Sequence, residues 1–199
     1  RHVAEELIGG RIALGGEIRE VSVLFADIRG FTALTEAMDP TEIVRLLNEH
    51  MSALTKLVHG ERGLVDKFVG DALMAIFGAP LSGGDDARAA VRCAWRMLRE
   101  REAMNARSNP AVGIGIGIAS GPAVAGCMGS EDRLNYTVLG SRVNLASRLC
   151  GAAGAMELWI DDTTYDRVRD VVEVEPVAKL SLKGFTLAVP AYRVRAVVA

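Results

Sequence analysis

The stretch 109–130 constrains this chain more than any other. It carries no charged residue over 22 positions, long enough for a helix to span a bilayer. Six glycines and two prolines interrupt it, however, and Gly113-Ile114-Gly115-Ile116-Gly117-Ile118 alternates with a period of two. That is the spacing of a strand, not of a helix. Ser120-Gly121-Pro122 falls in the middle, so the segment reads as two buried strands joined by a turn. The chain is therefore expected to build a sheet rather than to cross a membrane here.

Composition narrows the partners. The 199 residues are half apolar and 24% charged, a globular balance and not a disordered or fibrous one. A chain of this length buries roughly 70% of its unfolded surface, enough for one domain with its own core. Lys and Arg number 23 against 25 Asp and Glu, a net charge of −2. A nucleic-acid or anionic-membrane surface needs a basic excess, so neither is expected as the main partner. A small anion held by a few local cations stays open. Cys93, Cys127 and Cys150 are too irregularly spaced for a disulfide framework or a metal knuckle, and read as buried thiols in a reducing compartment. The chain opens at Arg1 without Met or a signal-like apolar stretch, which suggests a piece of a longer protein. Residues 1–19, polar and broken by Gly9-Gly10 and Gly15-Gly16, are expected to be a linker from an upstream region. Residues 20–199 are expected to form the domain.

Residues 21–26 form a short apolar run that ends at Asp27, hence a strand. Asp39-Pro40-Thr41-Glu42 is a helix start, with Asp as N-cap, Pro in the first turn and Glu at N3. Ile43, Leu46, Leu47, Met51, Leu54 and Val58 then share one face. Residues 64–68 and 72–77 flank Gly70-Asp71 as a hairpin. A second amphipathic helix follows Gly83-Gly84-Asp85-Asp86, where an Asp N-cap is expected. Residues 138–149 have helical spacing, and short strands are expected near 158–160, 171–177 and 191–197. Helices interleaved with adjacent hairpins favour an α+β sandwich over a doubly wound parallel sheet.

Two acidic residues stand out by position. Asp27 ends an apolar strand and Asp71 sits at a hairpin tip. A carboxylate at a strand end is costly to desolvate unless compensated, and a divalent cation compensates two converging carboxylates. Capping a turn is the plainer reading of each alone. Ile28-Arg29-Gly30-Phe31-Thr32 follows Asp27 as a glycine turn opening a helix, and its free N–H groups suit a polyphosphate. Strand alternation puts Lys67, Val69 and Asp71 on one side and Phe68 on the other. Asn144 and Arg148, spaced i,i+4, share a helix face that by itself is as well read as solvated. Lys183 precedes a glycine turn.

Taken together and in order, Phe25-Ala26-Asp27-Ile28-Arg29-Gly30-Phe31-Thr32, Lys67-Phe68-Val69-Gly70-Asp71-Ala72, Gly140-Ser141-Arg142-Val143-Asn144-Leu145-Ala146-Ser147-Arg148 and Leu182-Lys183-Gly184 resemble the signatures of class III nucleotidyl cyclases. The likeness runs over about 21–197. It implies a ferredoxin-like α+β core similar to polymerase palms, with extra C-terminal strands, in which Asp27, Asp71 and the Ile28 carbonyl hold two Mg²⁺ or Mn²⁺ ions. The reaction it implies is cyclisation of ATP to 3′,5′-cyclic AMP and pyrophosphate. There one metal acidifies the ribose 3′-hydroxyl and the other neutralises the departing phosphates. No side-chain base is then required, and none of the three histidines (His2, His50, His59) falls in a motif.

The same likeness assigns Lys67 and Thr137 to the base, Asn144 to the ribose, Arg148 to the α-phosphate and Lys183 to the β- and γ-phosphates. Gly30, Phe31, Thr32 and Arg133 are further phosphate candidates. A Lys donor and a Thr acceptor match adenine N1 and its 6-amino group, whereas guanine presents N1–H and O6. An adenylate cyclase of the Thr-type subgroup is expected, some members of which respond to bicarbonate; a guanylate cyclase and a silent cyclase-like dimerisation domain are the alternatives. The family also implies a head-to-tail homodimer. In it the metal site and Lys67 are expected from one chain, and Thr137, Asn144 and Arg148 from the other. A sensor domain is expected upstream and no nucleic acid as partner. The domain is expected on the cytoplasmic side, with tethering of the whole protein to a membrane left open.

Overall fold

The structure is a computed structural model and describes residues 15–108, 110–130, 133–180 and 189–198. Eight strands form one sheet, mostly antiparallel. In chain order the elements are β1 (Gly15–Ile28), α1 (Phe31–Ala37), α2 (Pro40–Gly60), β2 (Leu64–Val69), β3 (Ala72–Phe77) and α3 (Asp86–Asn105). They continue with β4 (Ile114–Ser130), β5 (Arg133–Leu139), α4 (Ser141–Ala152), β6 (Glu157–Asp161), α5 (Asp162–Val168), β7 (Val172–Leu180) and β8 (Val189–Val197). The strand order is β2-β3-β1-β4-β6-β8-β7, with β5 added to β4 off this path. This is the α+β architecture that the pattern of elements predicts. Among the described residues no helix is long and apolar enough to cross a membrane.

The period-two pattern of β4 explains the two sides of the sheet. Ile114, Ile116 and Ile118 are fully buried on one face with Leu24, Ala26 and Ile28, beneath α2 and α3. Each buried Ile or Leu there contributes roughly 1.5–3 kcal/mol of burial. Gly115 and Gly117 alternate to the other face, where α4 lies against bare backbone. A methyl group on Gly117 would collide with the main chain of Ala146 and Cys150, and one on Gly113 with Ala155. Alternation of the largest aliphatic with no side chain at all thus seats helices at two different heights.

Several boundaries differ from expectation. Residues 114–130 are one 17-residue strand, not two strands and a turn. Its pairing with β1 runs without a break from Ile28↔Ile114 to Gly15↔Cys127. Ser120-Gly121-Pro122 instead marks where the second neighbour changes, from β6 at 115–118 to β5 at 124–130. A proline, with no N–H to give, fits a position with a neighbour on one side only. Gly121 has φ +141°, a conformation that glycine supplies. Residues 15–19, read as linker, are strand opposite 123–127, because Gly16 there admits the Val124 side chain. Residues 138–139 end β5, and the helix begins only at Ser141. Helix α5 carries no long apolar stripe and was not foreseen.

Both helix starts are where the sequence places them, with different chemistry. Asp39 caps α2 as expected, accepting from the Thr41 N–H at 2.8 Å. At α3 the Asp85 side chain makes no cap bond. It pairs with Arg62 and Arg92, and it is Asp86 that accepts from the Gly83 N–H. Cys93, Cys127 and Cys150 are free and buried as expected. Burial pushes the Cys93 and Cys150 thiols up to about 12 and about 11, which keeps both protonated and inert.

Candidate active site

Asp27 is the penultimate residue of β1, paired opposite Ala72 of β3. Odd-numbered residues of β1 point to the α4 face, with Val21 and Val23 in the core there, so Asp27 emerges on that side. The Gly70-Asp71 turn, with Gly70 at φ +63°, brings Asp71 beside it within hydrogen-bonding reach. Burial and the neighbouring Asp71 push the Asp27 carboxyl up to about 6, against the lowering effect of Arg29. The Asp27 and Asp71 carboxylates side by side form an all-oxygen donor set, suited to a hard divalent cation. The Ile28 side chain is buried in the core, which leaves its carbonyl at the strand end as the part that can serve the site.

Arg29 was not foreseen as a site residue. Its guanidinium donates to Asp27 at 3.0 Å and to the Cys150 carbonyl of α4, beneath a β4 backbone where Gly115 leaves room. It ties the strand end that carries Asp27 to the helix that carries Asn144 and Arg148. Beyond it Gly30, at φ +71°, opens α1 without a side-chain cap. The Leu34 N–H takes the Gly30 carbonyl, and the N–H groups of Phe31 and Thr32 precede the first intrahelical bond.

Lys67 follows an irregularity in the β2–β3 register, between Val65 and Lys67. Bulges redirect side chains. Asp66, the residue inside this one, turns its carboxylate into the protein, with 1% of the side chain exposed. It accepts from the Thr137 hydroxyl of β5 at 3.0 Å and lies 3.2 Å from the Lys67 ammonium. This corrects one expectation. Lys67 and Thr137 meet through Asp66 within a single chain, so the two base-reading candidates belong to the same copy and are not divided between copies. The side alternation expected for Lys67 and Phe68 is kept, since the bulge precedes both. Phe68 and Val69 are both more than half exposed, however, so neither side of the hairpin end is covered.

Asn144 and Arg148 are both exposed on α4, one turn apart, and make no hydrogen bond or ion pair among the described residues. Neither is bonded to Asp27 or Asp71 among the described residues. Arg142, the second residue of α4, anchors the helix through the buried Asp161 at 3.2 Å. Arg133 opens β5 opposite Ser130, and Lys183 lies outside the described residues. A cavity of about 290 Å³ lined by Met38, Glu42, Arg45 and Arg101 lies between α2 and α3 and takes in none of these residues.

The sequence profile of the adenylate and guanylate cyclase catalytic domain matches residues 16–195. The chain belongs to the class III nucleotidyl cyclases. The fold agrees with solved cyclase domains. With the adenylyl cyclase CyaB from Pseudomonas aeruginosa it shares 35% identity at a TM-score of 0.87, over 92% of this chain and 97% of that one. With the guanylyl cyclase Cya2 the figures are 34% and 0.86, over 92% and 95%. An uncharacterized protein of Mycobacterium tuberculosis is 43% identical over 159 residues, which cover 77% of this chain and 27% of that protein. The chain thus spans about a quarter of the length of the curated relatives it matches. Cyclase neighbours of both base specificities stand equally near, so likeness alone does not choose the nucleotide.

Proposed function

We propose that this cyclase domain is an adenylate cyclase that converts ATP to 3′,5′-cyclic AMP and pyrophosphate at sites shared by two copies arranged head to tail. One observation carries the nucleotide choice: Lys67 and Thr137 are brought together through Asp66, a donor beside an acceptor. Adenine presents the complementary edge, an acceptor at N1 and a donor at its 6-amino group. Guanine presents the reverse, and mismatched buried polar groups discriminate strongly between substrates.

Asp27, Asp71 and the Ile28 carbonyl would hold two Mg²⁺ or Mn²⁺ ions. Bound there, the cations acidify the ribose 3′-hydroxyl and neutralise the phosphates. The chain's own residues do the rest. The N–H groups at Gly30, Phe31 and Thr32 face the polyphosphate, with Lys183 and Arg133 as added cations. Asn144 orients the ribose, and the Arg148 guanidinium donates to the α-phosphate as charge builds there, an effect of a few kcal/mol. The 3′-oxygen bonds to the α-phosphorus, the bond to the pyrophosphate oxygen breaks, and the 3′ proton leaves to solvent. Among the described residues Asn144 and Arg148 make no hydrogen bond or ion pair with the acidic pair of their own chain, which supports a site completed by a second copy. That copy would supply Lys67, Thr137, Asn144 and Arg148 to the Asp27 and Asp71 of the first.

The deciding experiment offers ATP and GTP separately to one preparation with Mn²⁺. A higher kcat/KM for ATP is expected. A higher value for GTP overturns the nucleotide assignment, and no cyclic product from either overturns the activity.

A further inference from the structure

The base-reading pair is held by a third residue with a definite chemical polarity. Asp66 sits in the β2 bulge, its carboxylate shut off from solvent, between the Thr137 hydroxyl at 3.0 Å and the Lys67 ammonium at 3.2 Å. A carboxylate paired with an ammonium only accepts hydrogen bonds. The Thr137 hydrogen is therefore committed to Asp66, and what the hydroxyl can offer a ligand is its lone pairs. The Lys67 ammonium is held by charge beside Asp66 at 3.2 Å and keeps N–H bonds for a ligand. Without that carboxylate the threonine hydroxyl is a free rotor, equally able to donate to a guanine O6 or to accept from an adenine amine.

We propose that Asp66 is a specificity-determining positioning residue: it fixes the Thr137 hydroxyl as an acceptor and aligns Lys67 as a donor, so that the pair reads adenine. Asp66 itself touches no substrate. This rests on the adenylate reading above and adds to it the group that makes a two-way hydroxyl one-way. A serine or threonine at the base edge is ambiguous in isolation, and the buried carboxylate removes the ambiguity.

The test is Asp66→Asn, which keeps the shape and can turn an amide N–H₂ toward Thr137 Oγ1, releasing the hydroxyl hydrogen to face the ligand. The ratio of kcat/KM for ATP to that for GTP is expected to fall by about tenfold or more, through loss with ATP and gain with GTP. Inosine triphosphate, which carries the guanine-type N1–H and O6 without the 2-amino group, is expected to follow GTP. Adding Asp66→Asn to Thr137→Val, which has no hydroxyl to orient, is expected to change the ratio far less than in the wild type. If Asp66→Asn does not fold, Asp66→Ser, smaller and also able to donate to Thr137, is expected to shift the ratio the same way. Equal losses with ATP and GTP, or an unchanged ratio in a folded variant, overturn the role of Asp66 while leaving the adenylate reading intact. A wild type that prefers GTP overturns that reading instead, before any variant is made.

Discussion

Asp27 and Asp161 look alike in the sequence, each an acid at the end of a short apolar strand, and each has one arginine partner. Their surroundings differ completely. Asp161 is fully buried and accepts from the Ser120 N–H, the Thr164 N–H and hydroxyl, and Arg142. Those hydrogen bonds counter the burial that raises its proton affinity. Asp27 is about a third exposed, accepts among the described residues from Arg29 alone, and faces a second carboxylate that pushes it the same way as burial does. One acid is saturated by its own chain and holds the fold together. The other is left under-compensated and partly exposed, the mark of an acid placed for a role other than holding the fold.

The comparison breaks first on activity. Asp71→Ala and Asp27→Asn are each expected to lower cyclase turnover by about a thousandfold or more, since both remove a proposed metal donor. Neither should lower the melting temperature, and Asp27→Asn should raise it slightly by removing repulsion. A large loss of stability in either would place these acids with Asp161. Asp161→Ala is next, expected to destabilise by about 3–5 kcal/mol because Arg142 loses its ion-pair partner and the Thr164 and Ser120 N–H groups their acceptor. Denaturant unfolding measures it, and a midpoint unmoved by the change would remove the distinction.

Mixing chains sharpens the dimeric half of the picture. Asp71→Ala and Arg148→Ala chains, each inactive alone, should regain about a quarter of wild-type activity at equal amounts. Half the dimers are then mixed, and each holds one intact site of two. Absence of rescue would argue that each copy builds its site alone.

The smallest expected effect is on pH. The Asp27 carboxyl is raised to about 6 in the folded state, so without metal it contributes stability below its ordinary value near 4 that is lost as pH rises through about 6. Asp27→Asn should flatten that slope by an amount on the order of 1–2 kcal/mol. Mn²⁺ should stabilise the wild type above pH 6 and progressively less below it, because protons compete for the same oxygens. Thermal melts at several pH values, with and without Mn²⁺, decide both points.

Much of this was legible in the residues. The strand ending at Asp27, the hairpin tip at Asp71, the capped helix at Asp39 and the α+β class all follow from period and turn chemistry. The single long β4 was not, because Gly-Pro within an apolar run signals a turn by local propensity, and only the change of neighbouring strand makes it tolerable in a continuous one. Asp66 was missed for a related reason. Strict alternation has no place for a bulge, so an acid next to Lys67 gave no sign that it would be buried and bridge to Thr137, 71 positions away. Arg29 lay in plain view within a quoted motif, but its reach to Cys150 depends on the space above Gly115, which is a property of packing rather than of order along the chain.

At Gly117 the sheet and α4 meet main chain to main chain, with no side chain between them to yield. A single methyl added there would press on the Ala146 and Cys150 backbone, and the helix could relieve it only by carrying Asn144 and Arg148 outward together.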